Sequence, residues 1–176
     1  EKTADLLPVL VKFAKENGIK IAVNPSIYQI QKEEQSFFYG ISKADILFLN
    51  KEEAENLTKK FGASIKDIGK FLLSTCKGIV VITAGSKGAF VFEGENMYKA
   101  EVYKKAVCKD KTGAGDSFGA GFLAGLLAEN NIEYAIRVAM VNSAKNISQK
   151  GAKNGLLAKS ELKFLPNIDI IKERLF

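Results

Sequence analysis

The sequence predicts a layered α/β fold: a mainly parallel sheet in a three-layer, Rossmann-type arrangement with helices on both faces. Three observations predict the α/β layering. Short apolar runs at Ile19–Val23, Asp45–Leu49 and Gly78–Thr83 read as buried strands. The segments between them carry apolar residues at helical spacing. No repeat, low-complexity tract or interior linker breaks this alternation, so residues 1–176 are expected to form a single domain.

Taken in order, Leu6, Leu7, Val9, Leu10, Phe13 and Ala14 share one helical period, and Asn17-Gly18 supplies a stop. Ile19–Val23 follows as a strand closed by Asn24-Pro25-Ser26, and Ile27 to Tyr39 is ambiguous. The strand DILFL leads at once into Asn50 and the helix-like KEEAENLTKKFG. Ser64 to Thr75 is a further helix, with Ile65, Ile68, Phe71 and Leu72 on one side. After GIVVIT, a turn at Ala84–Gly88 leads into Ala89–Phe92, and Glu93–Asn96 marks a hairpin. Met97 to Val107 reads as extended. Gly115 to Glu129 is a helix apolar nearly all round, predicted to be buried, and Ile132 to Ser148 is another helix.

Composition narrows the chemistry. Net charge is +6 and the sequence pI is near 9.2, a balance that suits an anionic ligand such as a nucleotide. The lysines are dispersed rather than blocked, so nucleic acid is not an expected partner. There is no His, and Cys76 and Cys108 are the only cysteines. Cys/His metal sites, Ser-His-Asp systems and Cys-His nucleophiles are therefore excluded. Two unpatterned thiols fit a reducing compartment, and no apolar run reaches membrane length, so a cytoplasmic protein is expected. Glu1-Lys2-Thr3 opens directly into the first helical pattern without an initiating Met, as a cleaved, truncated or partial chain would.

The segment with the most chemistry is Asp110-Lys111-Thr112-Gly113-Ala114-Gly115-Asp116-Ser117-Phe118. Gly113 and Gly115 let successive amides turn toward one point just before a long helix, whose first N–H groups lack partners. Gly113, Ala114 and Gly115 thus form a candidate anion hole, aided by about half a positive charge from the helix dipole. Asp116 has two readings: an N-cap that accepts amides of the next turn, or a base that takes the proton of an attacking hydroxyl. A dinucleotide-binding reading of Gly113, Gly115 and Gly119 fails, because no apolar strand precedes them and the region about 20 residues on is helical. No G-x-x-x-x-G-K-[ST] occurs, so a P-loop is absent.

The run DKTGAGDSFGAGF resembles the D-x-T-G-A-G-D-x-F-x-x-G-F motif of the ribokinase (PfkB) family, matching at Asp110, Thr112 to Asp116, Phe118, Gly121 and Phe122. The resemblance implies an ATP- and Mg2+-dependent kinase acting on a hydroxyl of a sugar, sugar phosphate or nucleoside. It makes Asp116 the catalytic base and Gly113, Ala114 and Gly115 the anion hole. Asn50-Lys51-Glu52-Glu53 resembles the family's N-x-x-E motif, so Asn50 and Glu53 would organise Mg2+, largely through water. The other reading of that tetrapeptide is an N-cap with acids in the first helical turn. Thr83-Ala84-Gly85-Ser86-Lys87-Gly88 resembles the T-x-G-x-x-G nucleotide loop, which lays Thr83, Gly85 and Gly88 along ATP; the alternative is an ordinary strand-to-strand turn.

By the same resemblance, the helix Ile132–Ser148 and the segment after it carry an adenine pocket, with Asn142, Ala139 and Gly151 as candidates. Ala139 reads equally as helix packing. Asp110 and Thr112 match positions near which some relatives bind a monovalent cation such as K+. The resemblance spans all 176 residues as the C-terminal half, or somewhat more, of a typical member. It implies that an N-terminal part is missing, with the lid, the acceptor-binding carboxylate and the lid surface that often forms a homodimer. The 176-residue chain alone is then expected to bind ATP but transfer little phosphate. Competing readings are a non-catalytic relative that binds a nucleotide or partner, and a vitamin-precursor kinase.

Overall fold

Residues Ile46 to Leu49 are all buried, which in a strand requires cover on both faces. In the computed structural model, which describes residues 6–32, 35–103 and 106–176, they form β2 (Ile46–Asn50). The opening Glu1-Lys2-Thr3, residues 33 and 34 of the ambiguous stretch, and residues 104 and 105 of the stretch expected to be extended lie outside the described residues. Beside β2 run β1 (Ala22–Val23) and β3 (Ile79–Thr83), both parallel to it. Then β4 (Ala89–Glu93) pairs antiparallel with β3, and β5 (Asn96–Ala100) and β6 (Ile170–Arg174) complete the order β1-β2-β3-β4-β5-β6.

The sheet is therefore mixed, its parallel half being β1 to β3. The reason lies in the connections. β4 and β5 are separated by Gly94-Glu95 alone, and a two-residue link permits only antiparallel neighbours. Strand β1 is shorter than Ile19–Val23, and the extended stretch from Met97 holds strand only to Ala100. The ambiguous region is helical, as α2 (Ile27–Gln31) and α3 (Gln35–Ser42). Ser26 and Gln29 start α2 through a reciprocal capping box.

The remaining helices are α1 (Leu6–Glu16), α4 (Lys51–Thr58), α5 (Ile65–Thr75), α6 (Ala114–Glu129) and α7 (Ile132–Ile147). Two compact units are distinguishable: residues 1–85, 89–99 and 172–176 in the first, 86–88 and 100–171 in the second. In the first, Leu47, Val80, Ile82 and Phe92 meet Ile41 of α3 and Ile68 and Leu72 of α5. The Phe92 ring lies where any side chain on Gly69 would have to go. Each such large apolar residue contributes roughly 1.5–3 kcal/mol of burial.

In the second unit, α6 and α7 pack through glycines. A Cβ on Gly121 would lie 2.9 Å from the Ala139 Cα, and one on Gly125 2.8 Å from the Ala135 Cα. One expectation is corrected here: α6 is not buried all round, since Leu127 is 86% exposed. Its Gly and Ala residues level the polarity around the helix, so composition alone marks no buried face. No described helix is long and apolar enough to cross a membrane.

Candidate active site

Helix α6 begins where it does because Gly113 adopts φ 79°, ψ 5°. A Cβ there would meet the Ala152 carbonyl oxygen at 2.6 Å and the Ala152 Cα at 2.8 Å, so only glycine fits on both counts. Gly113 is the N-cap and offers no side chain to the first turn. The Ala114 amide turns back to the Lys111 carbonyl (3.2 Å), so one of the three amides expected to hold an anion is already engaged. Gly115 and Asp116, second and third in the helix, have no intrahelical acceptor for their amides.

Gly115 poses a separate question. Its backbone is not left-handed, and a Cβ added there would meet nothing within 4 Å. Glycine costs a helix about 1 kcal/mol relative to alanine, and no protein neighbour accounts for it here. The space over Gly115 is open, which is what a phosphate needs when approaching the backbone closely.

Asp116 is exposed, and among the described residues its carboxylate has no hydrogen-bond or ion-pair partner. The N-cap reading of this residue is corrected: the cap is Gly113, and no side chain caps the helix. A carboxylate at a helix N-terminus, unengaged and beside open space, can accept a proton from a bound hydroxyl.

A hydrogen-bonded frame fixes this helix start. Asp110 Oδ1 accepts from the Thr112 amide (2.9 Å) and hydroxyl (2.7 Å), and Oδ2 accepts from the Gly151 amide (2.8 Å). The Gly151 amide, then the two Thr112 donors, hold the Asp110 carboxyl below the ordinary carboxylate range. Asn146 is fully buried, and its Nδ2 donates to the carbonyls of Ala152 (3.0 Å), Asn154 (3.1 Å) and Gly151 (3.4 Å). Ser143 donates to the Ala114 carbonyl at 3.0 Å. Asn142, also buried, donates to the Ser117 carbonyl (2.7 Å) and accepts from the Leu157 amide (2.8 Å).

The frame thus brings together Asp110, Thr112, Gly113, Ala114, Asn142 and Gly151 of the residues singled out in the sequence. Asn142 enters it as a brace between α6 and the segment after α7. Ala139 is fully buried against Gly121, so it serves helix packing and has no surface open to a base. Ser117, Ser143 and Asn146 were not among the sequence candidates. Ser117 belongs to α6, while Ser143 and Asn146 share one side of α7 with Asn142; that side signals buried polar groups in need of partners without naming the partners.

The first unit assembles a second group. Asn50 and Thr83 are directly paired at the C-terminal ends of parallel β2 and β3, the edge where open α/β sheets place their ligands. Asn50 caps α4: its Oδ1 accepts from the Glu53 amide (2.9 Å), and its own amide donates to Glu53 Oε2 (2.7 Å). The capping reading of this tetrapeptide is therefore realised. Gly85 follows in a short 3-10 turn, Gly85–Lys87. Gly88 belongs to the second unit, where a side chain would strike the Ala100 carbonyl.

Burial pushes the Glu53 carboxyl above its ordinary value of 4.5, outweighing the Asn50 amide, and neighbouring Glu52 adds to the rise. The sign for stability follows: the folded state holds this proton more tightly, so Glu53 favours folding more as pH falls through its raised value. Binding of a Mg2+ ion to this group would have the opposite sign, because a metal needs the carboxylate. Among the described residues no cluster of three or more His, Cys, Asp or Glu could cage a metal. The oxygens of Asn50 and Glu53 suit Mg2+ that keeps most of its waters. Mg2+ affinity measured by titration is expected to weaken in acid at a pH above 4.5. In Glu53→Gln, which can still complete the capping box, that dependence should flatten; an unchanged profile would remove Glu53 from metal binding.

Comparison with known proteins bears on the family and the fold. Residues 4–159 match the model of the pfkB family of carbohydrate kinases. The Haemophilus influenzae ribokinase is 35% identical over 162 residues, 88% of this chain and 50% of that protein. The Lactococcus lactis ribokinase is 32% identical over 154 residues, 88% of this chain and 47% of that protein. The Thermococcus kodakarensis cytidine kinase is 33% identical over 113 residues, 63% of this chain and 40% of its own length. Among solved structures, the Thermotoga maritima ribokinase superposes with a TM-score of 0.72 at 24% identity, covering 88% of this chain and 51% of that one. An E. coli protein provisionally named Ribokinase II, solved with ATP and Mg2+, gives a TM-score of 0.78 at 21% identity, covering 91% and 52%. The chain spans about half the length of the curated relatives it matches. With the fold, the glycine helix start and the matched residues in agreement, the chain belongs to the pfkB family of carbohydrate kinases.

Proposed function

We propose that this chain carries the ATP-binding and phosphoryl-transfer residues of a kinase whose acceptor is a hydroxyl of a sugar, sugar phosphate or nucleoside. The observation that carries this reading is the unpartnered Asp116 carboxylate at the start of α6, next to the open space over Gly115. The relatives' names support the acceptor class: ribokinase, 5-dehydro-2-deoxygluconokinase and cytidine kinase.

Phosphoryl transfer through a loose transition state asks mainly for positioning and charge stabilisation. The amides of Gly115 and Asp116 and the α6 dipole stabilise charge on the transferring group. Asp116 accepts the acceptor's hydroxyl proton as the oxygen attacks. Asn50 and Glu53 hold Mg2+ through water, and Thr83, Gly85 and Gly88 line the nucleotide. Gly151 borders the base, and a monovalent cation would sit near Asp110 and Thr112. Bound Mg2+ would neutralise the phosphates. The relative solved with ATP and Mg2+ supports both ligands.

The test is transfer of labelled γ-phosphate from ATP to a panel of sugars and nucleosides, by this chain and by a full-length form. The chain alone is expected to bind ATP and turn over slowly; transfer to one acceptor class should need the full length. Gly115→Ala is expected to keep or raise the melting temperature, since alanine gains up to about 1 kcal/mol in a helix. Transfer should nonetheless fall by roughly 10²- to 10³-fold, the order of losing one charge-stabilising contact. A Gly115→Ala protein with undiminished transfer would show that the space over Gly115 stays empty during the reaction.

A further inference from the structure

The sequence singled out three residues to meet the base, and the fold engages all three. Ala139 is fully buried against Gly121. Asn142 gives its Nδ2 to the Ser117 carbonyl (2.7 Å) and its Oδ1 to the Leu157 amide (2.8 Å). The Gly151 amide donates to Asp110 Oδ2 at 2.8 Å. Gly151 can border a base, but its donor is not free to read the base's edge. A site that hydrogen-bonds its ligand rejects a wrong one by about 10⁴-fold or more, whereas apolar contact discriminates by about 10- to 200-fold.

The phosphate end is furnished differently. The loop before α6 runs beside the segment after α7. The Lys109 and Asp110 amides both donate to the Ile147 carbonyl (2.7 and 3.1 Å), and Gly113 abuts Ala152. These two stretches, residues 109–116 and 149–154, carry Lys109, Lys111, Lys150 and Lys153, all exposed. Among the described residues none of the four ammonium groups has an ion pair or a hydrogen bond. The only acids in these stretches are Asp110 and Asp116, and Asp110 already accepts three hydrogen bonds. An exposed lysine is ordinarily a solvated surface group, but these four gather on the two segments that form the start of α6. Clustered charge of one sign raises the on-rate of an opposite ligand by about 10- to 10³-fold, and salt screens the effect.

We propose that this chain selects its phosphoryl donor by the charge of the polyphosphate, through Lys109, Lys111, Lys150 and Lys153, and tolerates a change of base. The inference rests on the phosphotransfer reading for where the phosphates lie. It is tested by measuring binding of ATP, GTP, CTP, AMP and inorganic tripolyphosphate to this chain and to a full-length form, at low and at high salt. ATP, GTP and CTP are expected to agree within about tenfold, the low end of what apolar contact discriminates. AMP should bind far more weakly than any triphosphate, and tripolyphosphate should displace all three. Lys→Gln at the four positions should slow association of ATP and of tripolyphosphate by roughly tenfold or more at low salt, and the difference should vanish at high salt. The melting temperature should hold, because these ammonium groups pair with nothing in the fold. Lys→Arg at the same positions should keep the parent's rates.

A preference for ATP over GTP and CTP beyond about tenfold overturns the base tolerance. Equal association rates in the glutamine and parent proteins overturn the role of the lysines. Transfer is read on the same full-length samples. Triphosphates bound in the expected pattern without transfer to any acceptor uphold this inference and count against the kinase reading. Transfer from ATP alone does the reverse, and failure of every triphosphate to bind removes both.

Discussion

Asp116→Asn in the full-length protein is expected to lower turnover by roughly 10²–10⁴-fold, the usual worth of a positioned base, while ATP affinity holds or rises. The two halves of this result come from different features. The carboxylate makes no hydrogen bond or ion pair in the fold, so an amide of the same shape breaks nothing. Losing a negative charge from the first turn costs the helix about 0.3–1 kcal/mol. With phosphates bound over the α6 N-terminus as proposed, that same loss would remove a like charge from beside them and push affinity upward. Single-turnover transfer at saturating ATP and acceptor isolates the chemical step, and an ATP titration of the same protein reports binding. Turnover within about tenfold of the parent would mean that a general base at this position is not what drives the reaction.

The candidate site was legible where its residues are adjacent in the chain. Gly113, Gly115 and Asp116 sit within four positions of each other, and a glycine turn ahead of a helix has few other uses. The identity of the cap was not legible: Asp116 is a good capping residue by type, and only the left-handed Gly113 decides against it. The braces were hidden for a different reason. Asn146 satisfies carbonyls five to eight residues further on, in a segment without periodicity, so nothing local announces the pairing.

The fold shows the same division. β2 and β3 were readable because both faces are buried and their sequences are continuous apolar runs. β6 was not readable: Ile-Ile-Lys-Glu-Arg has four exposed residues and no alternation, as suits a strand ending the sheet order. β1 was overextended because Ile19 and Ile21 suit a strand, while only Ala22 and Val23 pair with β2. Local pattern identifies elements that are buried on their own account; pairing at an edge depends on a neighbour the pattern does not contain.

Asn146→Ala is expected to destabilise the chain by about 2–4 kcal/mol, and Asn146→Asp by more, although the second change replaces only an NH2 with an oxygen. The amide Nδ2 faces the carbonyls of Gly151, Ala152 and Asn154 at 3.0–3.4 Å. Alanine leaves these carbonyls without their donor, which water reaching the loop offsets in part. Aspartate instead points a charged acceptor at three acceptors in a fully buried place. The damage should reach the nucleotide, because Gly113 packs against Ala152 and the α6 N-terminus relies on that segment for its position. ATP affinity should therefore fall in both variants, opposite to Asp116→Asn, and chemical denaturation should rank the parent above alanine and alanine above aspartate. Equal stability of the two variants would contradict the donor role of Nδ2. An aspartate protein more stable than the alanine one would place the oxygen of this side chain, not its nitrogen, against the loop.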